Sequence, residues 1–190
     1  MQKQRIAIFA SGTGSNAVNL IHFFKGHASI EVAFVLSNKE DAPVLVSAEK
    51  LGVPVMYYPN EVVAKGDFLA GICEEQQVDW IVLAGYLRLV PGSLIDIYEG
   101  KIINLHPALL PNYGGKGMYG RNVHEAVIAN QELESGITIH FVNREFDKGR
   151  IIAQFHCALD QTDTVESLES KIRYLEQNYL PTVVQNTILS

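Results

Sequence analysis

The chain has 190 residues, of which 47% are apolar and 19% charged, as expected of one globular domain whose core is large enough to form without disulfides or metals. The formal net charge of −6 disfavours nonspecific nucleic-acid binding, which relies on clustered Lys and Arg. No apolar run approaches the roughly 20 residues of a membrane span, and no signal-peptide pattern opens the chain, so we expect a cytoplasmic protein without membrane contact.

Apolar runs alternate with amphipathic segments through the first half of the chain in a βαβα rhythm. The patterns predict strands at 5–10, 29–37, 53–58, 79–85 and 101–106, and helices that begin at Ser15, span 42–52 and span about 61–77. Continuous apolar strands of this kind are typical of a parallel sheet with helices on both faces.

The pattern changes after Arg121. A short helix is followed by two strands, GITIHFV at 136–142 and RIIAQFHC at 150–157, which can pair antiparallel, and by a terminal helix from about Thr164. No repeat, low-complexity segment or linker divides the chain. We therefore predict a single α/β domain over residues 1–190, with a Rossmann-like, mostly parallel sheet and a C-terminal antiparallel strand pair.

A glycine-rich turn, FASGTGSNA at 9–17, joins the first strand to the first helix. Gly12 and Gly14 allow close backbone approach, and a helix N-terminus at the carboxyl edge of a parallel sheet attracts anions. The turn fits the dinucleotide fingerprint G-x-G-x-x-G/A, but residues 36–38 are Leu, Ser and Asn where an acid should hold the ribose. This favours a phosphate monoester over a dinucleotide, and a turn that binds nothing stays open as an alternative.

The stretch INLHP carries a second group of candidate residues. Asn104 and His106 are two apart, so both side chains leave one face of an extended strand, and Pro107 ends that strand. An amide and a protonated imidazole can stabilise the oxyanion of an acyl transfer, and the imidazole can pass a proton to the leaving nitrogen. A carboxylate from Asp147 aimed at His106 would raise the pKa of His106. Taken singly, a loop histidine and a turn aspartate before Gly149 also fit purely structural roles.

Six motifs in order, IAIFASGTGSN, VLSNKEDA, VLAGYLRLV, INLHPALLP, GITIHFVNREFDKGRIIAQ and RYLEQNYLP, give the chain a family resemblance. From about Arg5 to Val184 it resembles the phosphoribosylglycinamide formyltransferases of purine biosynthesis. The resemblance implies that a formyl group passes from 10-formyltetrahydrofolate, the co-substrate, to the amine of 5'-phosphoribosylglycinamide without a metal. It implies small-molecule substrates, no nucleic-acid or membrane partner, and a monomer or homodimer.

The resemblance also assigns roles to residues. It implies that Asn104, His106 and Asp147 are catalytic. It places the 5'-phosphate of the ribonucleotide at Gly12, Thr13, Gly14, Ser15 and Asn16, with Arg173 near that phosphate and Glu176 at the ribose. It places the folate pterin at Leu87, Arg88, Leu89 and Val90, with Asn104 contributing. Without the resemblance, the spacing of Arg173 and Glu176 indicates a surface ion pair on one helical face. The leucines and the valine of 87–90 would then be core residues.

Two features depart from the family pattern. The loop Asn112–Asn122 is longer than in most members, and its glycines predict mobility, with Lys116 or Tyr119 able to close over a substrate. An arginine that some members carry before the fourth strand has no clear equivalent here, and Lys65 is the nearest candidate.

Two alternative functions stay open. One alternative is another folate-dependent formyltransferase or a formyltetrahydrofolate hydrolase, which carry a further domain for which we expect no room here. The other is a nucleotide-binding module without chemistry. We expect structural roles for four histidines and both cysteines: His22, His27, His140, His156, Cys73 and Cys157.

Overall fold

The computed structural model describes residues 2–190. Its strands are β1 (Gln4–Phe9), β2 (Ile30–Ser37), β3 (Val55–Tyr57), β4 (Trp80–Leu83), β5 (Ile102–His106), β6 (Glu134–Phe141) and β7 (Ile151–Ala158). Its helices are α1 (Ser15–Phe24), α2 (Pro43–Lys50), α3 (Asn60–Val63), α4 (Gly66–Glu75), α5 (Gly92–Ile97), α6 (Arg121–Ala129) and α7 (Val165–Leu189).

The strands form one sheet in the order β3-β2-β1-β4-β5-β6-β7. Strands β1 to β5 run parallel, whereas β6 is antiparallel to both β5 and β7. The predicted α/β fold, with a mostly parallel sheet and a C-terminal antiparallel pair, is confirmed.

Alternate residues of each central strand supply two separate apolar cores. Ile6 and Ile8 of β1 face the core that α1, α2 and α7 cover, whereas Ala7 and Phe9 face the core under α4 and α5. This alternation is the period of a strand buried on both faces. Helices therefore cover both faces of the sheet, as predicted.

The predicted helix over 61–77 is wrong as a single element, because it divides into α3 and α4. Lys65 between them has an extended backbone, with φ −92° and ψ 97°. Gly66 then begins α4 directly against the first turn of α5, where a Cβ would overlap the Ser93 hydroxyl. The short helix α5 was not predicted, because six residues are too few to show a helical period.

The terminal helix α7 begins where the sequence predicted. Thr164 Oγ1 accepts a hydrogen bond from the N–H of Ser167, and Ser167 Oγ accepts one from the N–H of Thr164, which is a capping box. None of the helices within residues 2–190 is both long enough and apolar enough to cross a membrane.

The glycine turn between β1 and α1 depends on Gly14 more than on Gly12. Gly14 caps α1 with φ 74°, and a Cβ there would overlap the side chain of Val44. Gly12 accepts a hydrogen bond from the Val44 N–H at 3.2 Å, but a Cβ on Gly12 would meet open space. Packing within the protein therefore requires glycine at position 14 and leaves the space above Gly12 free.

We expect Gly14→Ala to lower the free energy of unfolding by about 1–3 kcal/mol, because the substitution adds both a left-handed alanine and an overlap with Val44. Gly12→Ala is the matched control and should change it by less than about 0.5 kcal/mol. Equilibrium unfolding in urea measures both. Equal losses in the two variants would contradict this account of the turn.

Candidate active site

A cavity of about 380 Å³ opens at the carboxyl edge of the parallel strands. Its walls come from the ends of β4, β5 and β6, the segments that follow these strands, and one residue each of α1, α6 and α7. Asn16, Asn104, His106, Asp147 and Glu176 all line it. The fold therefore brings together side chains that lie far apart in the sequence, at the edge where ligands of such sheets gather.

The register between β5 and β6 positions Asn104. Asn104 lies opposite His140, and His106 lies opposite Thr138, so the four side chains share one face of the sheet. Asn104 Nδ2 is 3.1 Å from His140 Nε2, and His140 Nδ1 is 2.8 Å from the Phe141 carbonyl. Because a carbonyl only accepts, His140 Nδ1 carries the proton and Nε2 accepts from the Asn104 amide. His140, expected to be only structural, thus orients the amide of Asn104.

The imidazole of His106 is held between a carbonyl and a carboxylate. Its Nε2 is 2.8 Å from the Tyr113 carbonyl, so Nε2 carries a proton and donates it there. Its Nδ1 faces Asp147 Oδ2 at 3.7 Å. Nδ1 is therefore the nitrogen of His106 that can gain or lose a proton.

Asp147 lies between two imidazoles in the loop that joins β6 to β7. Its Oδ2 accepts a hydrogen bond from the Gly115 N–H at 2.9 Å, and its Oδ1 is 3.7 Å from His140 Nε2. Burial alone would raise the pKa of Asp147, but His140, the Gly115 N–H and His106 together lower it below its usual value. At neutral pH the side chain is a carboxylate.

Burial decides the direction in which the pKa of His106 is shifted. Burial lowers the pKa of His106 below 6.5, and the Asp147 carboxylate and the Tyr113 carbonyl, which favour the charged form, offset only part of this effect. The carboxylate of Asp147 raises the pKa as expected, but the net shift is downward because the side chain is only 3% exposed. The free protein therefore holds a neutral imidazole beside an ionised carboxylate at neutral pH.

Glu176 of α7 and Asn16 of α1 are in direct contact in the wall of the cavity. Asn16 Nδ2 on α1 donates a hydrogen bond to Glu176 Oε2 on α7 at 2.9 Å. Burial raises the pKa of Glu176, while that hydrogen bond and the charge of Arg173 oppose the rise. Arg173 itself is exposed and does not line the cavity. Glu176 therefore lines the cavity, whereas Arg173 lies outside the lining, and the predicted role of Arg173 at the phosphate stays a prediction.

The remaining predicted phosphate residues lie beside the cavity rather than in its lining. Gly12, Thr13 and Ser15 are exposed and Gly14 is buried. The turn that contains them is continuous with Asn16, which does line the cavity. Lys65, the candidate for the missing arginine, precedes α4 and lies outside the lining.

The segment after β4 supplies an apolar wall. Leu87, Arg88, Leu89 and Val90 all line the cavity. Val90 is buried, but Leu87 and Leu89 are 44% and 50% exposed, so they are not the core residues of the alternative interpretation. The Leu87 N–H donates to the buried hydroxyl of Ser11 at 2.9 Å, which ties this wall to the glycine turn.

The long loop after β5 covers the cavity from the side of α6. Lys116 and Tyr119 both line the cavity, as expected of residues that can contact a substrate. The loop ends at Arg121, whose guanidinium donates to Glu125 at 2.9 Å and to Glu166 of α7 at 2.7 Å. These ion pairs fix the end of the loop to two helices.

His124 of α6 also lines the cavity and was missed in the sequence. It is buried, its Nδ1 has no hydrogen-bond partner among the described residues, and burial lowers its pKa despite the charge of Glu169. The one signal in the sequence is its position: His124 lies on the same face of α6 as the apolar residues Val123 and Val127.

No group of three or more His, Cys, Asp or Glu suited to a metal ion occurs among residues 2–190. The expectation of a metal-free site stays a prediction.

Comparison with known proteins gives a family match. The formyl transferase family matches residues 4–184. The chain is 37% identical to the chloroplastic phosphoribosylglycinamide formyltransferase of Arabidopsis thaliana, over 96% of this chain and 65% of the relative. It is 34% identical to the phosphoribosylglycinamide formyltransferase of Bacillus subtilis, over 97% and 95% of the two chains. The chain thus spans less than two thirds of the length of the plant relatives it matches.

Solved structures agree with these relatives. The crystal structure of phosphoribosylglycinamide formyltransferase from Bacillus halodurans matches with a TM-score of 0.88 at 35% identity, over 98% of this chain and 96% of that one. The enzyme of the same name from Brucella melitensis matches with a TM-score of 0.89 at 30% identity, over 100% and 97% of the two chains.

We expect His106 to titrate below pH 6.5 in the free protein and Asp147→Asn to move its titration lower still, because the carboxylate favours the imidazolium. Histidine NMR signals recorded against pH, assigned with His106→Gln, measure this. Asp41→Asn, an exposed carboxylate elsewhere, is the control. An unchanged or higher value in Asp147→Asn would contradict the geometry.

The same pKa predicts the sign of one contribution to stability. Below about pH 6.5 the unfolded chain binds a proton that the buried His106 resists, so the folded state loses stability from His106 as the pH falls through this value.

Proposed function

The chain belongs to the formyl transferase family, and we propose that it transfers the formyl group of 10-formyltetrahydrofolate to the amine of 5'-phosphoribosylglycinamide. One observation carries the proposal: Asn104, His106 and Asp147 converge on one cavity, in a chain that resembles formyltransferases named for this acceptor over nearly its whole length. The family implies a folate-dependent formyl donor, and the choice of the acceptor follows the names of the relatives.

The glycine turn suits the 5'-phosphate of the ribonucleotide. Helix α1 begins at Ser15, so its first N–H groups have no partner within the helix and are available to an anion. Asn16 belongs to the same turn, and Glu176, which accepts its hydrogen bond, would contact the ribose. A ligand in this orientation extends its glycinamide amine toward Asn104 and His106.

The apolar wall after β4 suits the pterin of the folate. A flat heteroaromatic ring is bound by apolar side chains with a few polar groups at its edges. Leu87, Leu89 and Val90 supply the apolar surface, with Arg88 beside them and Asn104 at the inner end. The formyl group would then lie between the two substrates, next to His106.

The reaction follows from the protonation states of the site. The amine attacks the formyl carbon, a C–N bond forms, and the carbonyl electrons move to oxygen. The Asn104 amide, oriented by His140, donates a hydrogen bond to that oxyanion. Neutral His106 accepts the amine proton at Nδ1, and Asp147 stabilises the resulting imidazolium. The carbonyl then re-forms and the bond between the formyl carbon and the folate nitrogen breaks. The imidazolium passes its proton to that nitrogen.

This scheme changes the role that the sequence alone indicated for His106. With its pKa lowered by burial, the side chain acts first as a base and only then as an acid. Holding the two substrates together in the cavity supplies much of the remaining acceleration.

Three expectations stay predictions. These are the cytoplasmic location, the monomeric or homodimeric state, and the absence of nucleic-acid and membrane partners. The plant relatives are named as chloroplastic.

The absorbance change of 10-formyltetrahydrofolate, with and without 5'-phosphoribosylglycinamide, tests the proposal. Turnover that requires the ribonucleotide supports it. Turnover without the ribonucleotide indicates a formyltetrahydrofolate hydrolase. If no turnover occurs with or without the ribonucleotide, the alternative of a nucleotide-binding module is favoured.

We expect Asn104→Ala, His106→Ala and Asp147→Ala each to lower turnover by about 100- to 1,000-fold, because each removes a group that stabilises the transition state or its proton transfer. His22→Ala, which removes an exposed histidine of α1, is the control and should retain full turnover. Near-normal turnover in any of the three site variants would remove that residue from the proposed mechanism.

A further inference from the structure

One short segment of the long loop contacts both His106 and Asp147. The carbonyl of Tyr113 accepts the hydrogen bond of His106 Nε2 at 2.8 Å, and the N–H of Gly115 donates to Asp147 Oδ2 at 2.9 Å. We call residues 113–115 the strap. Any displacement of the strap moves the acceptor that fixes the imidazole ring.

The side chain of Tyr113 ties the strap to the turn between α6 and β6. Its phenol donates to Glu132 Oε1 at 2.5 Å and accepts from Asn130 Nδ2 at 2.9 Å. The ring is half-buried and packs against the core. The phenol therefore has two fixed partners, both outside the cavity.

The backbone of Tyr113 needs such an anchor. Its φ is +56°, in the left-handed region that is unfavourable for a residue with a large side chain. A tyrosine held in this conformation persists only where its surroundings determine it. The surroundings of Tyr113 are the core against which its ring packs and the two exposed partners of its phenol, Glu132 and Asn130.

We propose that Tyr113 is a positioning residue, whose phenol, anchored on Glu132 and Asn130, holds its own carbonyl against His106 and thereby fixes the ring of the base. The inference deepens the proposed function and depends on it for the role of His106. Tyr113 does not line the cavity and has no contact with the reacting atoms.

The other groups around His106 do not replace this constraint. Asp147 faces Nδ1 at 3.7 Å, beyond hydrogen-bond distance, and neither His140 nor His124 makes a hydrogen bond to His106 among the described residues. With Nε2 released from Tyr113, the ring can rotate about its side-chain bonds and turn Nδ1 away from the carboxylate.

Tyr113→Phe removes the anchor and keeps the ring. In the free protein we expect the NMR titration of His106 to move to lower pH, because the Tyr113 carbonyl favours the imidazolium. In the assay we expect kcat to fall about five-fold, the factor that corresponds to one ordinary hydrogen bond. The KM values of both substrates should be unchanged, because Tyr113 does not line the cavity.

Four further variants make the experiment specific. Tyr174→Phe, which removes an exposed phenol of α7, should match the wild type in both measurements. Glu132→Ala should reproduce Tyr113→Phe, whereas Glu132→Gln, which keeps an acceptor oxygen, should restore most of the wild-type behaviour. The double variant Tyr113→Phe/Glu132→Ala should be no worse than either single change, as expected of two groups in one interaction.

The results separate a positioning role from a structural one. A wild-type His106 titration together with a wild-type kcat in Tyr113→Phe would overturn the inference. So would a lower thermal unfolding midpoint and a lower kcat with an unchanged titration. If the wild-type protein shows no turnover, the proposed function fails, but the titration of the free protein still decides whether Tyr113 positions the imidazole.

Discussion

The antiparallel register between β5 and β6 is the constraint on which the site depends. It sets Asn104 opposite His140 and His106 opposite Thr138. Thr138 in turn accepts the N–H of Leu110 at 3.0 Å and so holds the start of the loop that returns over His106. A slip of β6 by one residue would turn Thr138 and His140 to the other face of the sheet. The amide of Asn104 would lose the imidazole that orients it, and the loop over His106 would lose the hydroxyl that holds its start.

Burial and charge divide the protons of the site between its members. The cavity is buried enough to keep His106 neutral, and Glu176 is shifted toward its neutral form as well. Asp147 is also partly buried, but a backbone N–H and two imidazoles surround its carboxylate. Together they lower its pKa, so Asp147 keeps its charge at neutral pH. A neutral base beside an ionised partner is thus a property of the packing.

The sequence predicted most of the fold, because the spacing of apolar residues within each long helix or strand indicates which of the two it forms. It also indicated Asn104 and His106, whose spacing in one strand puts them on one face. It could not indicate the partner of Asn104 or the pKa of His106, since register and burial are properties of the assembled chain. The signal for His140 was present in the alternation of Thr138 and His140 with apolar residues, but it says nothing about which strand lies opposite.

The hydrogen bond between Asn16 and Glu176 joins residues 160 positions apart. During synthesis, the helix that carries Glu176 leaves the ribosome after every strand of the sheet is already outside. A nascent chain therefore holds no complete cavity, and only part of the core on that face of the sheet, until α7 docks. Contacts of such long sequence separation also form late and slowly in folding. The recovery of ligand binding after denaturation should therefore report the final docking step, and not the earlier collapse of the sheet.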